Sequence, residues 1–134
     1  MIADARRFIA LDPPRKTLVV QALMLLIVTR AALRMMSLPT LRQALTLRES
    51  RHDIPANVVV WAVSVAARRL PGTTCLSEAV TAETLLRRHG RAPILRIGVK
   101  SGHLRVPDAH AWVECDGLVV MGAVDDLSGY AVLS

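Results

Sequence analysis

Leu18, Val19, Ala22, Leu25, Leu26 and Leu33 recur at three- and four-residue spacing, the period of one helix face. Asp12, Pro13 and Pro14 precede them, and proline suits a first turn because its missing N–H has no partner there anyway. A helix is therefore predicted from the double proline to about Met36, with Arg30 and Arg34 off the apolar stripe. Ser37-Leu38-Pro39 breaks it and offers a cap for a second, shorter helix carrying Leu41, Ala44, Leu45 and Leu47. Asp53 and Pro55 start a third, which runs through Val58, Val59, Ala62, Val63 and Ala66 to Leu70, where Pro71 and Gly72 end it. The fourth begins at Cys75, behind Thr73 and Thr74, and repeats Leu76, Ala79, Val80 and Leu86 on one face until Gly90 stops it.

Beyond Gly90 the period falls from that of a helix to that of a strand. Ile94, Leu95, Ile97 and Val99 follow Pro93 as a strand-like run that ends at Ser101-Gly102. Ala109 to Cys115 alternates between Ala109, Ala111, Val113, Cys115 and His110, Trp112, Glu114, as a half-buried strand does. Asp116-Gly117 is a strong hairpin turn before Leu118 to Val124. Helices first and an antiparallel sheet of about three or four strands afterwards make an α+β layout, read as one domain over 1–134 with a helical part at 1–54 and a catalytic core at 55–134.

Hydrophobic residues make up 52% of the 134 positions and aromatics only 3%, so disorder is excluded and the core is aliphatic. The most apolar run, Thr17 to Thr29, is about 13 residues long against the roughly 20 a membrane span requires. It reads as a core helix, wide enough in its apolar stripe to leave room for a partner-facing side. The chain carries 17 Lys+Arg against 11 Asp+Glu, a net +6 that suits nucleic acid, acidic lipid or an acidic peptide without choosing among them. A nucleic-acid module is disfavoured because one Tyr and one Phe leave little to stack on bases. Two cysteines, Cys75 and Cys115, make neither a disulfide framework nor a C-x-x-C zinc pair, so a free thiol remains available as a nucleophile. No metal and no cofactor is expected.

A thiol attacks as thiolate, and a helix N-terminus favours that form through its unpaired N–H groups and the positive end of the dipole. Cys75 stands at such a place. His110, in a following hairpin strand, is the candidate base that takes the thiol proton and returns it to a leaving amine. Cysteine at a helix start with histidine in a later strand is a far narrower pattern than either residue alone. Leu70-Pro-Gly-Thr-Thr-Cys75, the helix to Gly90, Ile97-Gly98-Val99, His110-Ala-Trp-Val-Glu114 and Asp116-Gly117 together resemble the transglutaminase-like leader peptidases of lasso-peptide biosynthesis, over roughly residues 55–124.

The resemblance implies a transglutaminase-like, papain-like core, a catalytic helix packed on a small antiparallel sheet, and Cys-His-Asp hydrolysis. The implied reaction removes the leader from a ribosomally made precursor before an ATP-dependent macrolactam cyclase closes the ring. A separate leader-recognition protein would deliver the precursor to this short form. The sequence departs from the family where its aspartate is expected, since Gly122 and Ala123 occupy that stretch. By ideal pairing from the turn Ala123 faces His110, which leaves Asp125 as the nearest acid on the same face and Asp126 as its substitute if a bulge intervenes. Asp125 would hold the tautomer and support the imidazolium.

Glu114 lies roughly 7 Å from His110 by strand rise, which suits a salt bridge better than catalysis. Trp112 reads as structural and Cys115 as buried, while the Cys75 backbone N–H is the cheapest oxyanion donor. His52, His89 and His103 read as loop or helix-end residues, His89 beside Gly90 at the position that suits a cation. Arg87, Arg88 and Arg91 form a basic cluster at a solvated helix end or a docking surface for an acidic leader. The same thiol also suits acyl transfer or amidase chemistry, because one fold hosts several acceptors. Reduced-thiol chemistry and no recognisable signal segment point to the cytoplasm.

Overall fold

The computed structural model describes residues 13–45, 54–100, 108–122 and 131–132. Four helices come first, α1 (Pro13–Ala32), α2 (Leu38–Ala44), α3 (Ala56–Arg69) and α4 (Cys75–Arg88). The strands β1 (Ile94–Lys100), β2 (Asp108–Cys115), β3 (Leu118–Met121) and the two-residue β4 (Ala131–Val132) follow. They pair antiparallel in the order β3-β2-β1-β4, so the chain is α+β. β4 adds an edge rung, Gly98 to Val132 and Val99 to Ala131, that no apolar period in the sequence announces.

One aliphatic core joins these elements. Leu18, Val19, Ala22 and Leu26 of α1, Val59, Ala62, Val63 and Ala66 of α3, and Val80, Leu85 and Leu86 of α4 pack with Leu95, Ala111 and Val113 of the sheet. The helix periods therefore selected the correct inward faces on α1 and α3. α4 differs from its predicted single apolar face, because Ser77 and Ala79 to Leu86 are all buried. It lies between α1 and α3 on one side and β1 and β2 on another. Of its buried polar residues, Thr84 Oγ1 donates to the Val80 carbonyl and Glu83 is held by Arg42 of α2, whereas Thr81 Oγ1 has no hydrogen-bond partner among the described residues.

α1 leaves regular geometry at Ala32, four residues before the expected end. Leu33 to Met36 continue as tightened turns, with Arg34 N–H donating to Ala31 O and Met35 N–H to Ala32 O. Its outer side carries Val20, Met24, Ile27 and Val28 exposed to solvent, the apolar width noted above. Among the described residues, no helix is long and apolar enough to cross a membrane. α2 ends at Ala44 with Leu45 as its cap, and Leu47 lies outside the described residues.

In the hairpin, Cys115 pairs with Leu118 and Glu114 with Val119, as a two-residue turn dictates, and Asp116 with Gly117 supplies the two positive φ angles. Val113 then pairs with Met121, so Val120 is an extra residue and a β-bulge breaks the regular count. The ideal register that placed Ala123 opposite His110 therefore does not hold beyond Glu114.

Candidate active site

Cys75 is the first residue of α4, half-buried against the core. Its position is fixed by a reciprocal cap. Thr74 Oγ1 accepts from Ser77 N–H at 3.1 Å, and Ser77 Oγ accepts from Thr74 N–H at 3.0 Å. This Thr-x-x-Ser capping box satisfies the N–H groups of Thr74 and Ser77 at the start of α4. The Thr74 to Ser77 spacing was readable in the sequence, although serine at that position is a less familiar partner than Glu or Gln.

The loop ahead of the cysteine is tied to α1. Arg30 Nη1 donates to the Pro71 carbonyl at 2.7 Å. Gly72 follows at φ +82°, and a Cβ there would lie 2.7 Å from Arg30 Nη2. Only glycine meets both conditions cheaply, since a positive φ strains any L side chain. Arg30 thus serves as a strut, a role its place off the apolar stripe did not reveal.

Glu78, one turn into α4, has its carboxyl pushed above the ordinary range by burial. The sign follows: ionisation is easier in the unfolded chain, so this group opposes folding once the pH exceeds the usual carboxylate range.

His110 stands on β2, half-buried, opposite Gly98 of β1. Glycine there leaves the neighbouring strand without a side chain on that side of the imidazole. The ring stacks on Trp112 at a centroid distance of 6.0 Å and an interplanar angle of 19°. Trp112 is buried, and its Nε1–H donates to Glu114 Oε2 at 3.1 Å, an oxygen that also accepts from Arg96 Nε at 3.0 Å. The structural reading of Trp112 and the salt-bridge reading of Glu114 both hold. On its other flank, His110 Nε2 lies 2.5 Å from the Gly122 carbonyl oxygen.

The structure brings the helix of Cys75 and the strand of His110 into contact, with Ala111 and Val113 in the core they share. His110, Trp112 and Glu114 form the alternate row of β2. Asp125 and Asp126 lie outside the described residues, as do His52 and His103. Cys115 is buried, as its place in the row of Ala111 requires. His89 caps the C-terminus of α4. In the basic cluster Arg87 pairs with Glu83, and Arg91 Nη2 donates to the Ile54 carbonyl at 3.2 Å, so both cations have structural duties. Among the described residues, no group of His, Cys, Asp and Glu is arranged to hold a metal ion.

A cysteine thus opens a buried helix that packs on an antiparallel sheet, and a histidine stands on a strand of that sheet. The profile of the Transglutaminase-like superfamily matches residues 19–134, and the chain belongs to that superfamily. Cysteine peptidases and acyl transferases are the activities such a domain suggests. No curated protein and no solved structure matches the chain significantly.

Proposed function

We propose that this protein is a cysteine peptidase that removes the leader from a ribosomally made lasso-peptide precursor before macrolactam closure. The observation that carries the thiol chemistry is Cys75 at the capped start of α4, on a helix packed against the strand of His110, in a chain of the Transglutaminase-like superfamily. The leader-peptidase specificity rests on the likeness of the segments around Cys75 and His110 to that family.

In the proposed reaction His110 takes the Cys75 proton and the thiolate adds to the scissile carbonyl carbon. The oxyanion is met by the Cys75 N–H at the helix start. Collapse breaks the C–N bond as the imidazolium protonates the leaving amine, and water then hydrolyses the thioester. Asp125 is the acid proposed to support the imidazolium charge. A leader-recognition protein and an ATP-dependent cyclase are the proposed partners, and the cytoplasm the proposed compartment.

Mass spectrometry of candidate precursors encoded near this chain, with and without a leader-binding partner, tests the reading directly. The expected product pair is a free leader and a core peptide with a new α-amine. An amide to another amine in place of hydrolysis would shift the activity to acyl transfer, and intact precursor under every condition would end the peptidase reading.

The thiol itself offers a simpler measurement. Iodoacetamide near neutral pH is expected to alkylate Cys75 at least about ten-fold faster than Cys115, because Cys75 is partly exposed and Cys115 is buried. Equal rates in the folded chain would remove the argument for an activated nucleophile.

A further inference from the structure

We propose that the outer face of α1 docks this protein on an anionic lipid surface, its apolar stripe entering the headgroup layer and Lys16 and Arg34 meeting the lipid phosphates at the two ends. Nothing in this depends on the peptidase reading.

Leu18, Val19, Ala22 and Leu26 turn one side of α1 into the core. Val20, Met24, Ile27 and Ala31 follow at spacings of four, three and four on the opposite side, with Val28 next to them. Val20, Met24, Ile27 and Val28 are 44%, 62%, 49% and 50% exposed, and Ala31 is exposed as well. The stripe runs for about 16 Å along the helix and holds no polar side chain. Met35 and Met36, in the turns that follow, add two more exposed apolar side chains at the same end. Single exposed hydrophobics are ordinary, whereas a contiguous face of them marks a contact surface.

Charge selects what the face meets. α1 contains no acidic residue. Of its cations, Arg15 lies over the Trp61 ring and Arg30 donates to the Pro71 carbonyl. Lys16, one turn before Val20, and Arg34, three residues after Ala31, make no ion pair among the described residues. A cation at each end opposes self-packing, because a parallel pair sets each against its own copy and an antiparallel pair sets Lys16 against Arg34. The same placement complements an anionic surface.

A lipid surface suits the stripe better than a protein does. Protein interfaces carry roughly one hydrogen bond per 100–200 Å², and from Val20 to Ala31 the stripe offers no side-chain donor or acceptor to set a register. A fluid lipid surface requires no register. It accepts an apolar helix face to a depth of about 5–10 Å, while Lys and Arg extend their charges to the phosphates. Among the described residues no helix is long and apolar enough to cross a membrane, so the contact proposed is one of lying on the surface.

Co-sedimentation of the full chain with lipid vesicles tests this. Binding to vesicles of phosphatidylcholine mixed equally with phosphatidylglycerol is expected to be at least about ten-fold tighter than to phosphatidylcholine alone. It is expected to weaken as salt rises from about 0.1 to about 1 M, since screening shortens the reach of the two cations. Lys16→Gln with Arg34→Gln should lower affinity for the mixed vesicles by about thirty-fold, each cation contributing about five-fold. Met24→Gln with Ile27→Gln should lower it by about ten-fold or more, and should leave thermal unfolding of the free chain unchanged because both side chains are exposed. Ala31→Glu, an acid set on the stripe, is expected to reduce binding in the same way and serves if the double glutamine variant fails to fold. Absence of binding to the mixed vesicles, or binding that the stripe variants retain, overturns the proposal. Without vesicle binding, concentration-dependent dimerisation that the stripe variants abolish gives the face to a second copy. Loss, in those variants, of stimulation by a leader-binding partner in lipid-free solution gives it to a protein, and either result likewise overturns the lipid reading. Precursor that is never cut ends the peptidase reading and leaves vesicle binding as expected.

Discussion

Replacing Cys75 with alanine is expected to abolish cleavage, and replacing His110 with alanine to reduce it by about ten-thousand-fold or more. The thiol forms the covalent bond to the acyl group, so nothing in its place can carry the reaction through a thioester. Loss of the imidazole leaves the thiol to ionise by itself and strips the leaving amine of its proton source. Because groups that act as a unit are not additive, the double substitution should be scarcely worse than either single one. Cys115→Ala is the matching control: that sulfur is buried in the row of Ala111 and Val113 and should leave cleavage in place. The measurement is the rate of leader release by mass spectrometry, with circular dichroism to show that each variant is folded. Retained cleavage in Cys75→Ala refutes the nucleophile, and retained cleavage in His110→Ala moves the base to another residue.

Much of this arrangement could be read along the chain, and the reason is local. The inward residues of α1 and α3 followed from spacing alone, as did the start of α4 at Cys75. The Asp116-Gly117 turn fixed the first rungs of the β2–β3 pairing because its two positive φ angles demand those residue types. What escaped depends on contacts between distant segments. The bulge at Val120 has no composition signal, and it alone decides whether Gly122 meets Ala111 or Trp112. The burial of α4 from Ala79 to Leu86 depends on α1, α3 and the sheet enclosing it, and its Glu83 is compensated by Arg42, 41 residues away in sequence. Arg30 likewise sits off the apolar stripe for a reason visible only when Pro71 is brought to it.

The largest effect on stability is expected at the ion pair between α2 and α4. Glu83 is only 2% exposed, and Arg42, 41 residues away in sequence, grips it with Nε at 2.9 Å and Nη2 at 2.6 Å. This two-pronged match of guanidinium to carboxylate is the geometry in which a buried charge is best compensated. Arg87 approaches the same carboxylate at 3.5 Å from an exposed position, so it replaces little of what Arg42 supplies. Arg42→Met leaves the carboxylate almost alone inside the protein, and such a break costs about 3–5 kcal/mol. For a chain of this size the melting temperature should fall by about 10 °C or more. Arg42→Met combined with Glu83→Met removes both charges and fills the space with apolar atoms, which should restore most of the loss, since a buried pair contributes little over a well-packed apolar replacement. Thermal unfolding of the two singles and the double gives the coupling energy. A drop of less than about 1 kcal/mol in Arg42→Met would mean that water or another cation already compensates Glu83. In that case the pair cannot be what fastens α2 to the helix that begins with Cys75.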